Sequence, residues 1–165
     1  MIRLRALDPA DADAILAGQD EALAQEITGR RWDPDALREF LSRCSRWRED
    51  GPIREYAALV GHDGPLIGGG GLNRVAPGLE PGQAAMTYWI LAPHRGQGHG
   101  RSLAAALGDA ARADARIDRL VLRIAPHNAP SRAIARGLGA LSTGQEERHP
   151  SEASRTVERW VLDLR

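Results

Sequence analysis

The residues best suited to chemistry are Arg95-Gly96-Gln97-Gly98-His99-Gly100, set between an apolar segment and an alanine-rich one. Three glycines at alternate positions let a backbone turn tightly and approach a ligand without Cβ clashes. A helix starting there adds unpaired N–H groups and the positive end of its dipole, an anion site suited to a pyrophosphate. The dinucleotide fingerprint G-x-G-x-x-G is not matched, because the run is G-x-G-x-G and stands mid-chain. A second polar group, Asn128 and Ser131, opens a segment that closes at Gly139, and His94 and His127 lie beside the two groups. The five histidines show no H-E-x-x-H spacing and Cys44 has no partner cysteine, so no metal site is expected. There is no G-x-S-x-G elbow either.

The elements that must hold these groups are legible from periodicity. Ile2, Leu4 and Ala6 alternate with Arg3 and Arg5, a first strand. Asp8-Pro9 signals a short helix, with Asp8 as N-cap and Pro9 at the first helical position, and Asp33-Pro34 repeats the signal. Leu37, Phe40, Leu41 and Cys44 carry that second helix through about Arg48, and Gly51-Pro52 breaks it. Strands are expected at 55–60, 66–75 and 84–91, the last almost wholly apolar and therefore central. A helix over 101–115 buries Leu103, Leu107 and Ala110. A strand over 119–125 follows, then a helix begun by Asn128 and Pro130 and ended by Gly139, then a strand over 156–164, with a further one near 141–147. The glycines from Gly68 to Gly71 lie within a strand and mark a bulge or tight packing rather than a phosphate site.

A length of 165 residues suits one domain, residues 1–165, and 42% apolar content suffices for a core. Basic and acidic residues balance at 22 each, which argues against nucleic acid as a partner. No apolar run is long enough to span a membrane, and the start MIRLRALDPADADAI lacks a signal-peptide pattern, so a cytoplasmic protein is expected. Every basic residue other than histidine is arginine. The lack of lysine excludes a Walker A loop, a pyridoxal Schiff base and kinase chemistry, and it suggests a GC-rich bacterial source.

Strand, then R/Q-x-x-G-x-G/A, then helix resembles the acetyl-coenzyme A motif of the GNAT acetyltransferases, with Arg95, Gly98 and Gly100 at its fixed positions. The asparagine and the helix-ending glycine eleven positions later, Asn128 and Gly139, agree with that family. The segment YWILAPHRGQGHG and the Asn128-x-x-Ser131 pair are similar to the subgroup of ribosomal-protein N-terminal acetyltransferases. The resemblance implies an α/β (α+β) GNAT fold, with a central mixed, mostly antiparallel sheet splayed at the cofactor and helices on both faces. It implies transfer of an acetyl group from acetyl-coenzyme A to a primary amine, a protein N-terminus or a small molecule, by direct attack in a ternary complex.

Position by position, it implies that Arg95, Gly96, Gln97, Gly98, His99, Gly100 and Arg101 hold the pyrophosphate. Backbone groups of Ile90, Leu91 and Ala92 would pair with the pantetheine arm, and so would Asn128. An N–H near Leu91 would face the carbonyl oxygen as its charge builds. Two family features are missing: the tyrosine seven residues after the asparagine is Ala135, and the fourth-strand glutamate is Ala85. Ser131 is then the nearest hydroxyl to act as acid, and Glu26 a weak substitute base. Trp32 is the aromatic placed to line a substrate pocket. A site without a strong base favours amines of low pKa. At pH 7, neutralising a lysine amine costs roughly 4.6 kcal/mol and an α-amine about 1. The alternative is a catalytically weak acyl-coenzyme A-binding regulatory module. The partners expected are acetyl-coenzyme A and an amine acceptor, without nucleic acid or membrane, for a monomer or homodimer.

Overall fold

A computed structural model describes residues 1–24, 30–150 and 152–165. The chain runs β1 (Ile2–Ala6), a 3-10 turn (Pro9–Asp11), α1 (Ala12–Gly18), α2 (Glu21–Leu23), α3 (Pro34–Cys44), β2 (Ile53–Val60), β3 (Leu66–Asn73) and β4 (Gln83–Ile90). A second 3-10 turn (Ala92–His94) leads to α4 (His99–Arg112), β5 (Arg119–Ile124), α5 (Ala129–Leu138), β6 (Leu141–His149) and β7 (Glu152–Asp163). The seven strands form one sheet in the order β1-β2-β3-β4-β5-β7-β6. Every pairing is antiparallel except β4 with β5. The apolar fourth strand is indeed central.

The local signals act as expected. Asp8 caps the first turn in a capping box with Asp11, and Asp33 accepts the Ala36 N–H at the start of α3. Asn128 caps α5, and Gly139 ends it in the left-handed region at φ 89°. Several expected boundaries shift: α4 spans His99–Arg112 rather than 101–115, β7 begins at Glu152 rather than Thr156, and two further shifts have a visible cause. The helix from Pro34 stops at Cys44 rather than near Arg48. Beyond it the Trp47 indole N–H donates to the Glu55 carbonyl at 3.0 Å, which draws the chain onto β2. The strand from Leu66 ends at Asn73 because the Asn73 carboxamide accepts the Val75 N–H and turns the chain away.

Two apolar cores lie on opposite faces of the sheet. On one, Leu103, Ala104 and Leu107 of α4 and Ala135 of α5 pack against Tyr56, Leu72, Met86, Leu122 and Trp160. On the other, Ile15 of α1 and Leu37, Leu41 and Cys44 of α3 pack on Ala57, Leu66 and Leu91. The four consecutive glycines of β3 mark a point of close packing. A Cβ on Gly69 would stand 2.5 Å from the Trp89 ring, one on Gly70 2.6 Å from Leu107, and one on Gly71 2.6 Å from the Glu55 carboxylate.

The β4–β5 pairing ends after Ala85↔Val121. Beyond it β4 stays with β3 as far as Ile90 while β5 stays with β7 as far as Ile124, so the sheet opens between them.

Candidate active site

The opening is the mouth of a cleft of ≈ 780 Å³, within the usual size of a small-molecule site. It is lined at one end by the glycine loop and α5, and at the other by Glu55, Gly71, Thr87, Arg123 and the β6–β7 hairpin.

At the loop end, Gly96 and Gly98 take φ of 73° and 81°. Side chains rarely adopt that region, so only glycine forms this turn without strain. Gly98 is the N-cap of α4, and no side chain caps that helix. The first N–H groups of α4, from His99 on, therefore lie at the cleft without partners inside the helix. Gly100 lets α5 approach, since a Cβ there would stand 3.0 Å from Ile134. His94 and His99 line the cleft, whereas His127 is exposed.

The strand edge corrects one expectation. The Leu91 N–H donates to the Ile67 carbonyl at 2.8 Å, so it belongs to the β3 side and is not available as an oxyanion donor. Backbone groups of successive strand residues face opposite neighbours. The N–H groups of Tyr88 and Ile90 are therefore the ones that face the opening. The Ile90 carbonyl already accepts from Arg95 Nε at 3.1 Å.

Arg95 does more than belong to the loop. Its two terminal nitrogens grip the Asp20 carboxylate at 2.6 and 3.0 Å, tying the loop to the start of α2. That pair and the Leu23 N–H hold Asp20 below the usual carboxylate range. Asn128, expected to meet the pantetheine arm, uses its Oδ1 to accept the Ser131 N–H at 3.1 Å and also lines the cleft.

Ser131 has a partner that sequence reasoning missed. Its Oγ lies 2.8 Å from the Tyr88 hydroxyl, and that hydroxyl also donates to the Ser131 carbonyl at 3.2 Å. No tyrosine stands at position 135 of α5, but a tyrosine hydroxyl from β4 meets the first turn of that helix. Burial raises the Tyr88 pKa, and the Ser131 bond opposes that rise.

The larger omission is Glu55. No carboxylate stands at Ala85, as the sequence indicates, yet Glu55 of β2 reaches the cleft over the bare backbone of Gly71. Burial pushes its pKa up to about 7. The expectation of a site without a strong base does not take this carboxylate into account. The strand is fixed at this residue, because the Glu55 carbonyl accepts from both the Leu7 N–H and the Trp47 indole. The available signal was Glu55 on a strand with apolar Ile53 and Ala57 two residues to either side, followed by a glycine-rich strand.

Of the two expected substrate residues, one is not brought into the site. Trp32 stacks on Phe40 with ring centroids 5.2 Å apart and is not among the residues lining the cleft. Glu26 lies outside the described residues. Cys44 is buried, and desolvation pushes its thiol up to about 12, which leaves almost no thiolate at neutral pH for a covalent route. Among the described residues no cluster of His, Cys, Asp or Glu could hold a metal ion, and no helix is long and apolar enough to cross a membrane.

Comparison with known proteins agrees with this geometry. No curated protein matches the chain in sequence. The spermidine N-acetyltransferase of Vibrio cholerae, in complex with CoA and spermine, superposes with a TM-score of 0.79 at 19% identity, over 99% of this chain and 95% of that one. RimJ of Mycobacterium smegmatis, in complex with CoA-disulfide, does so at 0.76 and 21%, over 98% and 81%. The ribosomal-protein-S5-alanine acetyltransferase of Vibrio fischeri gives 0.79 at 14%, over 99% and 93%. At these identities the likeness is one of fold. A family model for the acetyltransferase (GNAT) domain matches residues 2–141. With the splayed sheet and the glycine loop at the head of α4, that match places the chain in the GNAT acetyltransferase family.

Proposed function

We propose that the protein transfers an acetyl group from acetyl-coenzyme A to a primary amine. The observation that carries this reading is one cleft joining the α4 N-terminus to a half-buried carboxylate, Glu55. The residues present fit the coenzyme: Gly96, Gly98 and Gly100 leave space where any Cβ would bring strain or contact, and the β4 edge is unpaired beyond Ala85. Backbone N–H groups from Gln97 to Arg101 would hold the pyrophosphate, and the edge at Tyr88 and Ile90, with Asn128, the pantetheine arm. When bound, acetyl-coenzyme A supplies an acetyl group activated as a thioester.

The chain's own residues supply the rest. Glu55 takes the proton of the acceptor ammonium, a task suited to a carboxyl pKa near the working pH. The N–H groups facing the opening stabilise negative charge on the carbonyl oxygen. The paired hydroxyls of Tyr88 and Ser131 return a proton at the thiol end. Both roles are served from opposite ends of the cleft, which suits direct attack in a ternary complex.

The test is release of free thiol from acetyl-coenzyme A across a panel of primary amines, with the acetylated amine measured by mass. Equal amounts of thiol and acetylated amine are expected. Coenzyme binding with no thiol release from any amine would return the protein to the regulatory-module reading.

A further inference from the structure

The four glycines of β3 are not bare for the same reason. A Cβ on Gly68 would run into the Trp89 carbonyl, one on Gly69 into the Tyr56 carbonyl, and one on Gly70 into the Thr87 carbonyl. Backbone within a paired sheet has no room to yield, so those three glycines serve the packing of the strands. Gly71 differs. The three atoms nearest to a Cβ there are Oε2, Oε1 and Cδ of Glu55, at 2.6, 2.7 and 2.8 Å. They are the far end of a flexible side chain. The Gly71 backbone has no positive φ, so it accepts an L side chain without strain. What a methyl would displace at this position is the carboxylate.

Glu55 is anchored at its backbone and not at its tip. Its carbonyl accepts from the Leu7 N–H and from the Trp47 indole, both at 3.0 Å. Its carboxylate has no hydrogen bond or ion pair among the described residues. Desolvation is the cause of its raised pKa. Cys44 of α3 is near enough that the Glu55 charge adds to the rise of the thiol's pKa, after desolvation. The place of the carboxylate is therefore set by shape. Register puts Glu55 opposite Gly71, and Gly71 opposite the exposed Thr87, at the acceptor end of the cleft. Strand β2 carries the side chain, and the flat backbone of Gly71 receives it.

We infer that Gly71 is a positioning residue for proton transfer: its missing side chain leaves the space in which the Glu55 carboxylate lies against the sheet. This deepens the acetyl-transfer reading and rests on Glu55 acting as its base. A methyl at position 71 lifts the carboxylate off the sheet toward the open cleft. Two properties then change together. The carboxylate moves relative to the acceptor nitrogen, and a misplacement of about 1 Å costs on the order of 10²-fold in rate. It also gains water, so its pKa falls toward the ordinary carboxylate range.

The experiment compares Gly71→Ala, alone and combined with Glu55→Gln, with the wild type and with Glu55→Gln. Thiol release is measured with the fastest acceptor from a panel of spermidine, free amino acids and peptides with free N-termini. Gly71→Ala is expected to lower kcat at least roughly tenfold. The acid limb of its pH profile should move down from about 7 by at least about 0.5 in pH. Acetyl-coenzyme A affinity by calorimetry should stay within about twofold, and the thermal midpoint within about 4 °C. Added to Glu55→Gln, the methyl should cost no more than about twofold further, because no base is left to displace. A wild-type rate and pH profile in Gly71→Ala would overturn the inference and leave Glu55 as the base. So would the full loss repeated on top of Glu55→Gln. So would a variant that does not fold, because Gly71 would then serve backbone packing as its three neighbours do. Wild-type activity in Glu55→Gln would overturn both the inference and the base on which it rests.

Discussion

The two ends of the cleft are built in opposite ways. The coenzyme end comes from two continuous segments, 90–101 and 128–139, in which local backbone conformation does the work: positive φ at Gly96 and Gly98, a cap at Asn128, a stop at Gly139. The acceptor end comes from residues far apart in sequence, Glu55, Gly71, Thr87, Arg123 and Arg155, which meet through strand register and the β6–β7 hairpin. A site made of backbone groups tolerates change in most side chains but not in its glycines. A site made of side chains from several strands depends on each residue and on the pairings that place them.

The largest effect is expected at the acceptor end. Glu55→Gln should lower kcat/KM at pH 7 by roughly 10²–10⁴-fold with coenzyme affinity unchanged, read by steady-state thiol release and calorimetric titration. In the wild type, activity should fall as pH drops through about 7, where Glu55 takes up its proton. The same raised pKa carries a stability consequence. A carboxyl above its unfolded value binds more protons folded than unfolded, so between about pH 4.5 and 7 stability falls as pH rises. Glu55→Gln removes that penalty and should raise stability at pH 8 by about 1–2 kcal/mol, discounted for partial exposure, while activity is lost. A variant that loses both would mark Glu55 as a structural residue.

The hydroxyl pair comes next. Tyr88→Phe and Ser131→Ala should each lower kcat by about 10²-fold, the low end of general acid assistance, because one hydroxyl of the pair remains. The double variant should lose much less than the product, since the two act as a unit. Rates within about twofold of wild type in all three would return Ser131 to helix capping alone, with water as the acid.

Gly98→Glu probes the backbone end. It puts a side chain at φ 81° and a carboxylate beside the pyrophosphate position. Acetyl-coenzyme A affinity should fall at least roughly tenfold, about 1.4 kcal/mol, with the fold kept by far-UV circular dichroism. Unchanged affinity in a folded variant would remove the phosphate role from the loop.

The smallest effect is expected where the loop is tied to α2. Asp20→Asn breaks a partly exposed bidentate pair with Arg95. Its cost should stay within about 1 kcal/mol by thermal unfolding, with less loss at high salt, and coenzyme affinity should move by no more than about twofold. A larger loss of affinity would show that Arg95 needs Asp20 to hold the loop in its binding shape.

Most of the fold could be read before the structure. The caps at Asp8, Asp33 and Asn128, the apolar fourth strand and the glycine loop each carry a local physical signal, and each leads to the observed element. The β6–β7 hairpin was harder. Strand β6, LSTGQEERH, is exposed along nearly all its length and has no apolar alternation, and β7 begins at Glu152 rather than Thr156. Its order comes from hydrogen bonding to a neighbour, which composition does not reveal.

What the amino-acid order settled is what a short segment decides alone: where helices begin and end, which strand is central, and which glycines leave the backbone bare for an anion. What required the folded molecule is the pairing of distant residues. Glu55 reads as one more charge on a strand until register places it over Gly71, and Tyr88 as one more aromatic until α5 brings Ser131 to 2.8 Å of its hydroxyl. Leu91 reads as an edge residue until its N–H is found committed to Ile67. A shift of one residue in strand register turns every side chain to the other face, and that choice is made by the whole sheet packing on two cores at once.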